Sequence, residues 1–306
     1  MISRRLILGG ALAPLAAWPL SALPGATLAQ AARPAAVTGA GMRVVCLGGD
    51  VAEIVHALGR GHLLVGCDDT CQYPAAAARL PRAGYVRAFS AEGVLSMRPT
   101  LVLASVAAGP ATALGQLQSA GVRVVEIPEA RDEAGLAGKI MAVGLALAAA
   151  DAAARLNARL QADFQQLARD VAADRRRPRT LALMSGTRGV LMASGAGTAA
   201  DAVIRLAGGV NAFASEGTRP LTPEAGLAAA PEALLVPSHA AQALGGPARI
   251  LASPTLARTP AARAGRLIVV DSLKLLGFGP RTPEAARELF TALRAPGART
   301  TAARTR

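Results

Sequence analysis

DAAARLNARLQADFQQLARDVAA, residues 151–173, carries Leu156, Leu160, Phe164, Leu167 and Val171 at steps of four, four, three and four. Those steps lay one continuous apolar stripe along an α-helix. Asp151 opens the helix and the run from Arg175 to Pro178 ends it. At 1.5 Å per residue such a helix extends roughly 35 Å. That is long for a crossover within one sheet and long enough to bridge two lobes.

Strand and helix patterns alternate on both sides of this helix. Upstream, apolar strands are expected over 43–47, 62–67, 101–104 and 122–127, with helices over 51–58, 111–120 and 132–147. Asp50 is expected to cap the first helix, whose Val51, Ile54, Val55 and Leu58 share a face. Downstream, strands are expected over 180–184, 233–236 and 267–270. The rhythm predicts an α/β protein built on mainly parallel sheets.

The two blocks also resemble each other. GDVAEIVHALG, residues 49–59, is echoed by TAADAVIRLAG, residues 198–208. Ser90-Ala91-Glu92 leads to Pro99 and an apolar run, and Thr222-Pro223-Glu224 leads to Pro231 and another, with Glu and Pro seven apart in each copy. Each Ser or Thr can cap a short helix that starts near its Glu. The fold expected is therefore two Rossmann-like α/β lobes joined by one long α-helix, with a ligand cleft between the lobes. The divisions expected are a signal peptide over 1–29, a linker over 30–41, an N-terminal lobe over 42–150, the inter-lobe helix over 151–174, a C-terminal lobe over 175–295 and a flexible tail over 296–306.

Composition bounds the function. The 306 residues are 52% hydrophobic and 17% charged, a globular balance. Arg4 and Arg5 precede an apolar run over 6–20, short of the ~20 residues a bilayer span needs. Pro14, Pro19 and Pro24 argue against an anchoring helix. Small residues at 27–29 place cleavage before Gln30, so the chain is expected in the periplasm. The run Ser3-Arg4-Arg5-Leu6-Ile7-Leu8 fits a twin-arginine signal loosely, beside the general secretory route. The net charge of +13 falls to +11 without the two leader arginines. The basic residues are scattered, with Arg175-Arg176-Arg177 the one cluster and no aromatic platform beside it, so no nucleic-acid partner is expected. Cys46, Cys67 and Cys71 allow a Cys67–Cys71 bridge, but three small core residues is the preferred reading.

The architecture resembles the periplasmic binding proteins that serve iron-chelate, cobalamin and haem importers, over about residues 42–293. Within that class, residues 84–99, GYVRAFSAEGVLSMRP, look like the haem-carrying subgroup, as do Asn211 after Gly208-Gly209-Val210 and the run GFGPRTP over 277–283. The resemblance implies that Tyr85 is an axial ligand of haem iron and that Arg87 supports it. Haem iron accepts tyrosine ligands, and ferric iron and a nearby guanidinium both favour a phenolate. Arg281 and Arg219 are candidates for haem propionates, as are helix N-termini facing the cleft. Glu92 and Glu224 are expected to dock on the permease of an inner-membrane ABC importer with its ATPase. A monomer that receives haem from an outer-membrane receptor system completes the expectation.

Other donors are weaker. Tyr73 precedes Pro74 in a loop, His56 reads as a surface residue, and His62 and His239 read as structural; a five-coordinate iron follows, with His239 the remaining second-lobe option. Competing readings are the same fold carrying a ferric siderophore or a corrinoid, a carrier of bare metal ions, and a periplasmic enzyme. The glycines of Gly186-Thr187-Arg188-Gly189 and Ser194-Gly195-Ala196-Gly197 lack the Gly-Lys-Ser/Thr ending of a phosphate loop, and no Ser-His-acid order is apparent. Bare metal would want clustered His and carboxylates. The expectation is a binding protein and not an enzyme.

Overall fold

Val44–Leu47 contains no polar side chain, and as strand β1 it is buried along its whole length. The computed structural model in which it lies describes residues 41–295 and 301–302. The expected signal peptide, the linker up to residue 40, and the tail apart from 301–302 lie outside the described residues. Strands β2 (Leu64–Cys67), β3 (Leu101–Ser105) and β4 (Arg123–Ile127) join β1 in a parallel sheet of order β2-β1-β3-β4. The central strands are apolar because helices cover both faces of a parallel sheet. Edge strand β4 instead exposes Arg123 and Glu126, charges that discourage pairing with another chain.

The second sheet uses β5 (Arg179–Ser185), β6 (Leu191–Ser194), β7 (Val210–Asn211), β8 (Thr218–Pro220), β9 (Ala233–Pro237), β10 (Leu267–Val270) and β11 (Thr301–Ala302). Its order is β11-β10-β9-β5-β6-β8, with β7 also on β5. The sheet is mainly parallel, as expected, with one exception: β6 runs antiparallel to both β5 and β8. The reason is a tight turn at Gly186–Val190, closed by Gly186 N–H donating to the Val190 carbonyl at 2.8 Å, in which Gly189 has φ +74°. Of the two glycine runs weighed as a phosphate loop, Gly186–Gly189 is this hairpin turn, followed by β6, and Ser194–Gly197 leads from β6 into helix Ala199–Leu206. The tail expected to be flexible contributes β11, which takes up the free edge of β10.

The internal echo is structural. Helices Gly49–Ala57 and Ala199–Leu206 both lead into a glycine with φ +72°, Gly59 and Gly208. Ser90 Oγ and Thr222 Oγ1 each accept the N–H three residues on, at 3.2 Å, and so cap Ala91–Ser96 and Pro223–Ala229. Asp50 does not cap its helix; its carboxylate turns to Lys139, and Gly48 occupies the cap position.

The long helix is Ala150–Ala173, 24 residues. It buries Ala153, Leu156, Leu160, Phe164 and Leu167 against Glu133–Ala146 on one side and Thr282–Arg294 on the other. One apolar core therefore runs from Val44 and Val51 through Leu160 and Phe164 to Leu275 and Leu289. Among the described residues no helix is long and apolar enough to cross a membrane.

Candidate ligand cleft

A cleft of about 740 Å³ opens between the two sheets. Its first wall carries Tyr85, Arg87 and the loop with Asp69 and Thr70; its second carries Met184, Ser238, His239, Ser272 and Leu276. The volume falls in the range of small-molecule and cofactor sites.

Tyr85 reaches the cleft through local chemistry. Gly84 holds φ +94°, a conformation open to glycine. Val86 and Phe89 are buried under the first sheet and anchor the loop. The Tyr85 carbonyl accepts Ala88 N–H at 2.8 Å, and Gly109 N–H donates to the Val86 carbonyl at 2.9 Å. With Val86 and Phe89 inside, Tyr85 and Arg87 point outward, and Tyr85 is 51% exposed. It is the one Phe, Trp or Tyr in the cleft lining.

Across the cleft, His239 stands at the start of helix Ser238–Ala243. Its Nδ1 lies 2.8 Å from Ser272 Oγ, which is 2.9 Å from Ser238 Oγ. Burial lowers the His239 pKa, so the ring is neutral near pH 7. The expectation of a purely structural His239 is thus corrected to a cleft-lining one. A neutral imidazole with one nitrogen engaged by a hydroxyl has the other available to a ligand.

The remaining charges of the cleft are mostly paired. Lys139, 3% exposed, holds Asp50 and also donates to the Gly277 carbonyl at 3.1 Å, joining the lobes at the floor. Arg131 pairs with Glu129 and reaches the Gly197 carbonyl across the cleft at 3.2 Å. Sequence reasoning missed both. The chain has two lysines, Lys139 and Lys274, both inside apolar helical runs and both buried, and that oddity was the available signal.

Arg281 is not where a propionate partner was expected. Its Nη2 lies 2.9 Å from Glu53 Oε2, its backbone N–H donates to Glu53 Oε1 at 3.1 Å, and its guanidinium stacks on the Tyr73 ring at 3.7 Å. This knot lies outside the cleft lining, behind helix Gly49–Ala57, and ties the second lobe to the first. Burial pushes the Glu53 carboxyl up, and the Arg281 guanidinium opposes the shift. Arg219 is exposed on β8 and also stands outside the cleft lining. His56 is half-buried with Nε2 unpartnered, and His62 sits in a 3-10 turn ahead of β2. Glu92 and Glu224 are exposed in the first turns of their capped helices. Its own backbone N–H and then the Thr222 hydroxyl hold the Glu224 carboxyl below its usual range.

Solved structures similar to this chain include periplasmic heme-binding proteins. The periplasmic heme-binding protein RhuT from Roseiflexus sp. RS-1, in apo form, is 39% identical with a TM-score of 0.80, over 83% of this chain and 98% of that one. The periplasmic heme-binding protein BhuT in complex with two hemes is 45% identical with a TM-score of 0.77, over 82% and 98%. The periplasmic heme-binding protein HutB of Vibrio cholerae is 30% identical with a TM-score of 0.76, over 83% and 99%. Among curated proteins, a vitamin B12-binding protein of Vibrio vulnificus is 30% identical over 82 residues, 27% of this chain and 30% of its own length. A profile of the periplasmic binding proteins matches residues 44–273, and the chain belongs to that family.

Proposed function

We propose that this protein captures haem in the inter-lobe cleft and hands it to an inner-membrane ABC permease. The observation that carries the reading is Tyr85, a half-exposed phenol held in the cleft by a loop whose neighbours Val86 and Phe89 are buried. In this reading the Tyr85 oxygen ligates ferric iron and Arg87 stabilises its phenolate form. The apolar parts of the cleft, such as Ala107, Leu273 and Leu276, cover the porphyrin faces. Propionates fall to Arg131, half-exposed beside Glu129, and to the hydroxyls of Ser238 and Ser272, since Arg281 lies outside the cleft lining.

Delivery uses Glu92 and Glu224, one acidic side chain per block on equivalent capped helices. Paired charges at a docking rim guide encounter and register. The mature chain starts after residue 29, works in the periplasm as a monomer, and receives haem from an outer-membrane receptor system. Residues 42–150 and 175–295 form its two lobes.

The vitamin B12-binding relatives make a corrinoid the competing cargo. They align over 82 residues, and the cleft offers one aromatic side chain to grip a corrin. Titrating the purified protein with hemin and with cyanocobalamin separates the two. A saturable visible spectrum with hemin, unmoved by excess cyanocobalamin, is expected; saturation by the corrinoid alone would overturn the assignment.

A further inference from the structure

Behind the first wall of the cleft, three thiols lie together without exposure: Cys46 on β1, Cys67 at the end of β2, and Cys71 in the loop that follows. Cys46 and Cys67 are register partners on neighbouring strands. Cys67 and Cys71 belong to a more elaborate setting. Asp68, also fully buried, accepts from Gly48 N–H, from Thr70 N–H at 2.7 Å, and from the Cys71 thiol, 3.4 Å from its Oδ2. Arg82 closes the other side, with Nη1 3.3 Å from Cys67 Sγ, 2.6 Å from the Asp68 carbonyl and 3.2 Å from the Cys71 carbonyl. The loop thus folds back so that a guanidinium and a carboxylate flank two thiols four positions apart. No group of three or more His, Cys, Asp or Glu side chains among the described residues is arranged to hold a metal ion.

We propose that Cys67 and Cys71 are a dithiol/disulfide pair that closes the loop forming one wall of the cleft, leaving Cys46 as a free thiol. The oxidant is a disulfide, either a small one such as oxidised glutathione or one on a periplasmic protein. The Cys67 thiolate attacks one sulfur of the oxidant and expels the first thiolate, giving a mixed disulfide. Cys71 gives up its proton to solvent and attacks the Cys67 sulfur, expelling the second thiolate, which takes up a proton. Two protein thiols and one external disulfide become one protein disulfide and two external thiols. With the loop packed, the Cys71 thiol and the Arg82 guanidinium beside Cys67 hold that thiol below its usual range against the effect of burial. The hydrogen bond to Cys67, with burial behind it, raises the Cys71 thiol. A mixed disulfide does not fit in a site with no exposure, so exchange takes place before the loop packs or when it opens.

The link matters to the cleft because Asp69, Thr70 and Gln72, which line it, sit within or beside the closed ring. Thr70 Oγ1 accepts Gly49 N–H at 2.8 Å, so the ring also holds the start of helix Gly49–Ala57. By the loop-closure estimate a ring this small shifts the folding equilibrium on the order of thirtyfold.

The test is thiol counting on the whole protein refolded from urea in a mixture of oxidised and reduced glutathione. The product is denatured, blocked with a maleimide and weighed intact. One adduct without reductant and three after reduction are expected. Trypsin should release residues 61–79, which contain both Cys67 and Cys71, as a peptide two hydrogens lighter than its reduced form. The Cys46→Ser variant should then show no adduct without reductant and two after reduction. Three adducts on the oxidised wild type, a retained glutathione, or a link between peptide 44–60 and peptide 61–79 would each overturn the proposal.

Discussion

Replacing Arg281 with Met removes the cation from a buried pair and keeps most of the side-chain bulk. Glu53 and Arg281 side chains are 5% and 14% exposed, so the carboxylate that stays behind has little water. Breaking such a pair by removing one partner costs about 3–5 kcal/mol. The backbone N–H of residue 281 still donates to Glu53 Oε1 in the variant, which argues for the lower end, about 3 kcal/mol. Loss of the stack on Tyr73 adds up to about 1 kcal/mol. Adding Glu53→Gln removes the stranded charge, and about 2 kcal/mol should return. The sign with pH follows from linkage. Burial already holds the folded Glu53 carboxyl above its ordinary value, and removing Arg281 raises it further. Folding of the single variant then takes up a proton that the unfolded chain does not hold near neutrality, so its deficit shrinks as the pH falls from about 7 to about 5. The double variant should show no such dependence. Urea unfolding of the haem-free protein, followed by circular dichroism at several pH values, measures all three chains. A loss below about 1 kcal/mol, or a deficit that grows in acid, would refute the reasoning. Hemin affinity of the folded single variant should stay near wild type, because Arg281 lies outside the cleft lining.

Reversing both docking charges, Glu92→Arg with Glu224→Arg, should abolish growth on haem as sole iron source while leaving hemin binding intact; growth at the wild-type rate would dismiss the docking role. Intact mass of the protein recovered from periplasm should correspond to a chain starting at Gln30, and a mass that retains residues 1–25 would reject the leader. Phe164→Ala should cost about 3–5 kcal/mol in urea unfolding, since Phe164 is buried where the long helix meets both lobes; a loss under about 1 kcal/mol would mean the two lobes do not share that core.

What the sequence made legible was local. The steps from Leu156 to Val171 gave the long helix to within a residue, because a stripe along one helix is written in consecutive spacing. Ser90 and Thr222 marked their helices for the same reason, a cap being a contact three residues long. The antiparallel edge of the second sheet was not legible: Leu191–Ser194 and Thr218–Pro220 are too short for an alternation to stand out. The ionic knots were hidden by distance along the chain. Lys139 meets Asp50 from 89 positions away, and Arg281 meets Glu53 from 228. No local pattern records such a meeting, which is why Arg281 could be read as a cleft residue and Asp50 as a helix cap. His239 was assigned to structure because the turn at Ser238, which brings it beside Ser272, depends on two separate strands ending together.

The most direct test of the account is a hemin titration of wild type beside Tyr85→Phe, followed by visible absorption. The variant keeps the ring and removes the one oxygen assigned to iron. The account predicts that the tyrosinate charge-transfer band of the wild-type complex disappears, that affinity falls by at least tenfold, about 1.4 kcal/mol, and that residual binding survives through porphyrin burial. Arg87→Ala in the same series should weaken binding less, since it leaves the phenol in place. An unchanged spectrum and affinity in Tyr85→Phe would contradict the account and reopen the iron ligand, with Tyr73, His56 and the cleft-lining His239 as candidates.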